Sequence, residues 1–290
     1  MFQTQRRLFR VQQCLFLAQR CSPSHLIGLL LSLVASAVAI APLHGQTVRE
    51  KLFPNGEYFQ FEGRPAFIVR PDQDQRREPQ PWVFYAPTLP GYPDTHEEWM
   101  HRKFLAAGVA VAGIDVGEAY GSPESRAIFD RFYIAATQQR GLALKPCLLG
   151  RSRGGLWVSS WACDHPERFS GLAGIYPVID FQTYPGLEKT AAAYRLTVTE
   201  LQQQIEQLNP IARVDAIAKA KLPVFIIHGD DDKVVPLIPN SGALAERYRA
   251  ADAAGVIQLK AIPSQGHNFW EGFFRCQELV DFVIQRALAK

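Results

Sequence analysis

Gly150-Arg151-Ser152-Arg153-Gly154 sets a serine between small residues in a G-x-S-x-G arrangement. The apolar run Leu142–Leu149 precedes it and Gly154–Cys163 reads as a helix after it, which is the context that gives the motif chemical meaning. So sharp a strand-to-helix turn forces strained backbone angles on Ser152. Small residues at 150 and 154, with Gly155 beyond, let the neighbouring backbones approach. The turn lifts the Ser152 Oγ clear of the sheet and aims the next N–H, that of Arg153, at an incoming oxyanion. A serine hydroxyl is a weak nucleophile at neutral pH, so the arrangement requires a base, and the base requires an acid to hold it.

Seven histidines compete for the role of base. His25 and His44 fall in an N-terminal apolar segment, His96 and His101 on a helix expected at the surface, and His165 in a His-Pro corner. His228 ends a buried strand, where it supports the core or a turn. His267 stands in Ser264-Gln265-Gly266-His267-Asn268, a polar loop after a late strand, where open α/β sheets place their ligand crevices. The acid comes from Asp230-Asp231-Asp232, in the turn after the strand Val224–Ile227. Three adjacent carboxylates cannot all be buried, so one is the acid and the others are solvated or hold the loop. The chain order, Ser152 then an aspartate at 230–232 then His267, is that of a nucleophile-elbow triad.

These residues need a scaffold. Glu57–Phe61 and Ala66–Arg70 read as a hairpin turning at Glu62-Gly63, and Trp82–Tyr85, Val109–Ile114, Leu142–Leu149, Leu172–Ile175, Val224–Ile227 and Val256–Ile262 as further strands. Helices are expected over 94–107 with Asp94 as cap, 123–140, Gly154–Cys163, Ala243–Ala250 and Glu271–Ala289. Apolar strands alternating with amphipathic helices indicate a mostly parallel central sheet covered on both faces. The region 180–222 interrupts that rhythm. It is helix-forming over Leu196–Leu208 and Ile211–Lys221, and reads as a small helical lid insertion within one domain, 46–290.

Over roughly 53–290 the chain resembles an α/β-hydrolase, and within that fold it is similar to the prolyl-oligopeptidase-like and dienelactone-hydrolase-like serine esterases and peptidases. The acid turn of those families commonly reads H-G-x-x-D-x-x-V-P, matched here by His228-Gly229-Asp230-Asp231-Asp232-Lys233-Val234-Val235-Pro236. The resemblance implies Asp232 as the acid, with Asp230 and Asp231 as turn residues. It also implies an oxyanion hole from the N–H of Arg153 and a second N–H in the loop after Trp82–Tyr85. That loop, Ala86-Pro87-Thr88-Leu89-Pro90-Gly91-Tyr92, departs from the family's His-Gly-Gly form. Pro87 and Pro90 have no N–H, which leaves Thr88 or Leu89, with Thr88 favoured.

Arg151 and Arg153 flank the nucleophile. Either they form structural ion pairs with acids such as Asp115 or Glu118, or one guanidinium faces the pocket and binds a carboxylate or polarises the scissile carbonyl. The Ser-Arg pair is similar to the elbow of glucuronoyl esterases, which implies acidic sugar esters. Tyr92 is a further substrate-contact candidate, and Trp157, Trp161, Tyr176, Tyr184 and Trp270 could form an aromatic wall.

The formal charge of +3 belongs largely to the N-terminus: residues 1–47 hold four arginines and no acid, leaving 27 basic and 28 acidic groups in 48–290. A near-neutral body argues against a nucleic-acid partner. The uncharged run Leu26–Ile40 after a positive flank reads as a signal peptide over 1–45 with cleavage near Gly45–Gln46, or as an uncleaved anchor. Export to the periplasm or beyond is therefore expected, with membrane contact only if the segment is retained. Cys147, Cys163 and Cys276 read as buried small hydrophobes, and neither a metal nor another cofactor is expected. The function expected is an exported serine hydrolase that cleaves a carboxylic ester, small or carbohydrate-borne, through an acyl-enzyme. A small serine peptidase is the alternative, and a catalytically silent binding protein the third reading.

Overall fold

The computed structural model describes residues 46–289. The segment expected as signal peptide or anchor, 1–45, lies outside the described residues. The chain runs α1 (Val48–Leu52), β1 (Glu57–Phe61), β2 (Arg64–Val69), β3 (Trp82–Ala86), α2 (Glu98–Ala106), β4 (Ala110–Ile114), α3 (Pro123–Gln138), β5 (Cys147–Arg151), α4 (Gly154–Asp164) and β6 (Gly171–Ile175). Five short helices follow: α5 (Leu187–Tyr194), α6 (Val198–Gln203), α7 (Ile205–Leu208), α8 (Pro210–Arg213) and α9 (Asp215–Lys219). The chain closes with β7 (Val224–Gly229), α10 (Ala243–Ala250), β8 (Ile257–Ile262), α11 (Glu271–Phe274) and α12 (Gln277–Leu288).

The strands form one eight-stranded sheet in the order β1-β2-β4-β3-β5-β6-β7-β8. β2 pairs antiparallel with β1 and β4, and every other pair is parallel. The alternation of side chains across β3 divides the core. Trp82, Phe84 and Ala86 enter one layer with Phe129 of α3 and Trp161 of α4, while Val83 and Tyr85 enter the other with Phe104 of α2 and Val280 of α12. The inner parallel strands β3 to β7 are buried throughout, which is why they read as unbroken apolar runs.

Three boundaries differ from expectation. The strand expected at Leu142 starts at Cys147, because Pro146 has no N–H to give a ladder; Leu142 makes only an isolated bridge to Gln80. Asp94 does not cap the first long helix. It accepts from the His96 N–H (2.9 Å) and pairs with Arg151, and α2 begins at Glu98. The closing helix is two helices, α11 and α12, separated at Arg275-Cys276. The helical region 180–222 also contains α5, which the sequence pattern did not suggest. Phe181, Ala191, Tyr194, Leu201 and Leu208 form a small core of their own against Leu156, Val178 and Val235.

Candidate active site

Ser152 sits immediately after β5 with φ 51°, in the left-handed region that a non-glycine residue rarely adopts. Its backbone is held on both sides: its N–H donates to Ile175 O at 2.9 Å, and its carbonyl accepts from Gly155 at 2.9 Å and Val178 at 2.8 Å. Gly154 allows the turn, since a Cβ there would lie 2.2 Å from the carbonyl oxygen of Ala86 at the end of β3. The elbow is thereby pressed against the β3 loop, and the Arg153 N–H lies at the start of α4.

The Ser152 hydroxyl lies 2.8 Å from His267 Nε2, and His267 Nδ1 lies 2.7 Å from Asp232 Oδ2. The other Asp232 oxygen accepts from the N–H groups of Val234 (2.9 Å) and Val235 (2.8 Å). Burial raises the pKa of Asp232, but hydrogen bonds from His228, His267 and Val235 more than reverse this and hold the carboxyl well below the usual carboxylate range. A carboxylate therefore faces His267 Nδ1, so that nitrogen carries the proton and Nε2 is left to accept from serine. This is the geometry for general-base activation of a hydroxyl.

His228 supports the acid. Its Nε2 lies 2.8 Å from Val235 O and 3.5 Å from Asp232 Oδ2. A carbonyl can only accept, so Nε2 is the protonated nitrogen and Nδ1 accepts from Ser241 Oγ at 2.7 Å. Asp230 and Asp231 serve the turn. Asp230 Oδ1 accepts from Ser264 N (2.7 Å), Asp230 N donates to Ile262 O, and Asp231 N donates to Gln265 O. The acid and base loops are stitched together before either reaches Ser152.

Ser152 opens into a cavity of about 230 Å³ whose wall includes Pro87, Tyr92, Tyr176, Tyr184, Val234, Asn268 and Phe269. The Tyr176 ring centroid lies 4.3 Å from that of His267 and fixes one side of the imidazole. Trp157 and Trp161 are core residues rather than wall residues. Trp270 is not in the wall either. Its indole folds back over Gly272 and packs edge-on against Phe273, and Phe269 and Asn268 take the place expected for it. Thr88 is buried with its hydroxyl donating to Tyr85 O at 2.8 Å, and the loop presents Pro87 to the cavity. Only the backbone of Thr88 is left for oxyanion binding.

The two arginines separate. Arg151 is 4% exposed and pairs with Asp94 (2.9 Å) and Glu97 (2.8 Å), under the rings of Tyr92, Phe269 and Phe274. Its partners are thus Asp94 and Glu97, rather than Asp115 or Glu118. Burial pushes the Glu97 carboxyl up even beside Arg151, and the Tyr85 hydroxyl donates to it. Arg153 faces Glu118 at 3.2 Å and remains at the cavity wall. His101, expected on a helix surface, is buried among Phe53, Tyr85 and Phe104, where burial lowers its pKa to about 3 and keeps it neutral. Periodicity could have found it, since Met100, His101 and Phe104 share one helix face. Among the described residues, Cys147, Cys163 and Cys276 are free and buried.

A single, mostly parallel sheet covered by helices on both faces, with a serine elbow after β5, defines an α/β-hydrolase. Within that class, a profile described as the prolyl oligopeptidase family matches residues 134–284, just over half of the 290 residues, and the chain belongs to that family. A search of curated proteins found no match. Among solved structures, the chain is similar to Porphyromonas gingivalis dipeptidyl peptidase 4, with TM-score 0.61 and 17% identity, covering 79% of this chain but 35% of that one. It is also similar to a Mycobacterium tuberculosis puromycin-hydrolyzing peptidase, with TM-score 0.61 and 15% identity, covering 79% of this chain and 40% of that one. Est1E from Butyrivibrio proteoclasticus aligns with TM-score 0.59 and 18% identity, covering 81% of this chain and 99% of that one. At these identities the likeness is one of fold. The chain spans little more than a third of the two peptidases.

Proposed function

We propose that the protein is an exported serine esterase in which Ser152 attacks the carbonyl of a carboxylic ester. His267 takes the serine proton and returns it to the leaving alcohol, and Asp232 holds the imidazole and stabilises its charge. The N–H of Arg153, with that of Thr88, receives the oxyanion. An acyl-enzyme forms on Ser152, and water activated by His267 releases the acid. The observation that carries this reading is the unbroken hydrogen-bonded series from Ser152 to His267 to Asp232 at the mouth of a cavity. The same intact series argues against a silent binding protein.

Ester rather than peptide is favoured by the charges at the cavity. No aspartate or glutamate lines it, and the acids beside it are already engaged: Asp94 and Glu97 with Arg151, Glu118 with Arg153, and Asp232 with His267. A peptide's ammonium would have to compete with Arg153 for Glu118, whereas a neutral ester needs no counter-charge there. Ser152→Ala is expected to abolish hydrolysis of p-nitrophenyl acetate and labelling by a fluorophosphonate while leaving the circular dichroism spectrum unchanged. Retained activity would remove Ser152 from the reaction, and faster cleavage of aminoacyl amides than of acetyl or methyl esters would establish the peptidase alternative.

A further inference from the structure

Phe269 forms part of two cavities. One is the Ser152 pocket; the other, of about 500 Å³, lies between α2 with its preceding loop and the segment around α11. The walls of the second cavity carry rings and paired charges. The His96 and Phe269 rings stack at 4.4 Å with 20° between their planes, and Trp99 adds an indole. Glu98 pairs with Arg102 at 2.7 Å, and Glu271 with Arg275 at 2.8 Å. Nothing in the mechanism at Ser152 uses these groups.

We infer that this second cavity is a subsite for neutral sugar residues that lie beyond the scissile ester; the inference rests on the esterase reading of Ser152. The charges decide the class of ligand. Each of the four formal charges has its opposite one helical turn away, so the cavity attracts neither an anion nor a cation. The same pairs place carboxylate acceptors beside guanidinium donors, and a sugar hydroxyl needs both. The stacked His96–Phe269 pair and the Trp99 indole, over which Lys103 Nζ lies 5.4 Å from the ring centroid, give ring surface that suits the C–H faces of a pyranose. An extended peptide is less well served. The wall comes from helices and loops with no strand edge, so no row of backbone donors and acceptors is offered to it. Phe269 belongs to both walls, which places the proposed subsite next to the Ser152 pocket.

Calorimetric titration of the protein with xylotetraose, cellotetraose and mannotetraose tests the assignment. At least one sugar is expected to bind. Trp99→Ala should weaken it about tenfold and Trp99→Phe about twofold or less, the size of one aromatic face. Glu271→Ala, at an exposed position and tolerated by the fold, should weaken it about threefold or more. The inference is overturned if none of the sugars binds, if binding is indifferent to Trp99 and Glu271, or if tetra-alanine binds in their place. Fluorophosphonate labelling and p-nitrophenyl acetate hydrolysis on the same preparation report on Ser152 separately. An active enzyme without sugar binding would defeat this inference alone, and sugar binding without ester cleavage would defeat the esterase reading.

Discussion

Asp232→Asn changes one atom, and the surroundings of Asp232 dictate what that atom does. The oxygen that accepts from the Val234 and Val235 N–H groups must remain an oxygen, because an amide NH2 there would face two donors. The NH2 group is therefore forced to the position of Oδ2, 2.7 Å from His267 Nδ1 and 3.5 Å from His228 Nε2. A donor facing Nδ1 makes that nitrogen the acceptor and moves the imidazole proton to Nε2. Nε2 then presents an N–H to the Ser152 oxygen 2.8 Å away, and the base is lost while every heavy atom keeps its place. The expected loss in kcat at neutral pH is about a thousand- to ten-thousandfold, which corresponds to about 4–5.5 kcal/mol of transition-state stabilisation. Steady-state hydrolysis of p-nitrophenyl acetate measures it, with circular dichroism to show that the fold persists. Asp230→Asn and Asp231→Asn serve as comparisons and should each lose less than about tenfold, because neither carboxylate meets His267. A folded Asp232→Asn enzyme within about tenfold of the parent, or an equal loss at Asp231, would refute the assignment of the acid.

Arg151→Met should be a stability variant. It strands Asp94 and the fully buried Glu97, so a loss of about 3–5 kcal/mol is expected, seen as a fall in Tm of roughly 6–20 °C, and Arg151→Met with Glu97→Gln should recover part of it. An unchanged Tm for the single variant would show that the pair is not a structural necessity. In acid, the sign follows from Asp232. Its folded pKa lies below its unfolded value, so its contribution is complete above about pH 4 and is lost as the pH falls further. Acid titration followed by tryptophan fluorescence should therefore show a shallower loss of stability below about pH 4 in Asp232→Asn than in the parent, and superimposable curves would contradict this.

The three residues that meet at the cavity were legible because each follows a strand with its own signature. Ser152 stands in a glycine-bracketed turn, and Asp232 and His267 come in polar loops directly after apolar runs, in an order that few other arrangements share. Strand order along the chain was readable for the same reason: buried parallel strands appear as short unbroken apolar runs. The partners of Arg151 were not legible. Asp94 and Glu97 lie more than fifty residues earlier, in a stretch that read as an ordinary capped helix start, and only the fold brings them beneath β5. Trp270 shows a different limit. A loop has no periodicity, so sequence cannot say which of two consecutive aromatics turns inward, and here the indole folds over Gly272 while Phe269 reaches the cavity. The helical region 180–222 was read correctly as helical but not in its divisions. Gln204 and Val214 break what looked like longer helices.

The stitching of the acid loop to the base loop has a consequence for how this site can be altered. Gly229 passes so close to Gln265 that a Cβ would lie 2.1 Å from its carbonyl oxygen, and three hydrogen bonds join Asp230 and Asp231 to 262–265. Asp232 and His267 therefore move as one cassette carried by β7 and β8 at the edge of the sheet. Ser152 belongs to a separate block, β5 and α4, at its centre. A graft that exchanges both loops together preserves the acid–base pair and needs only its distance to Ser152 restored, whereas exchanging either loop alone breaks the pair at its root.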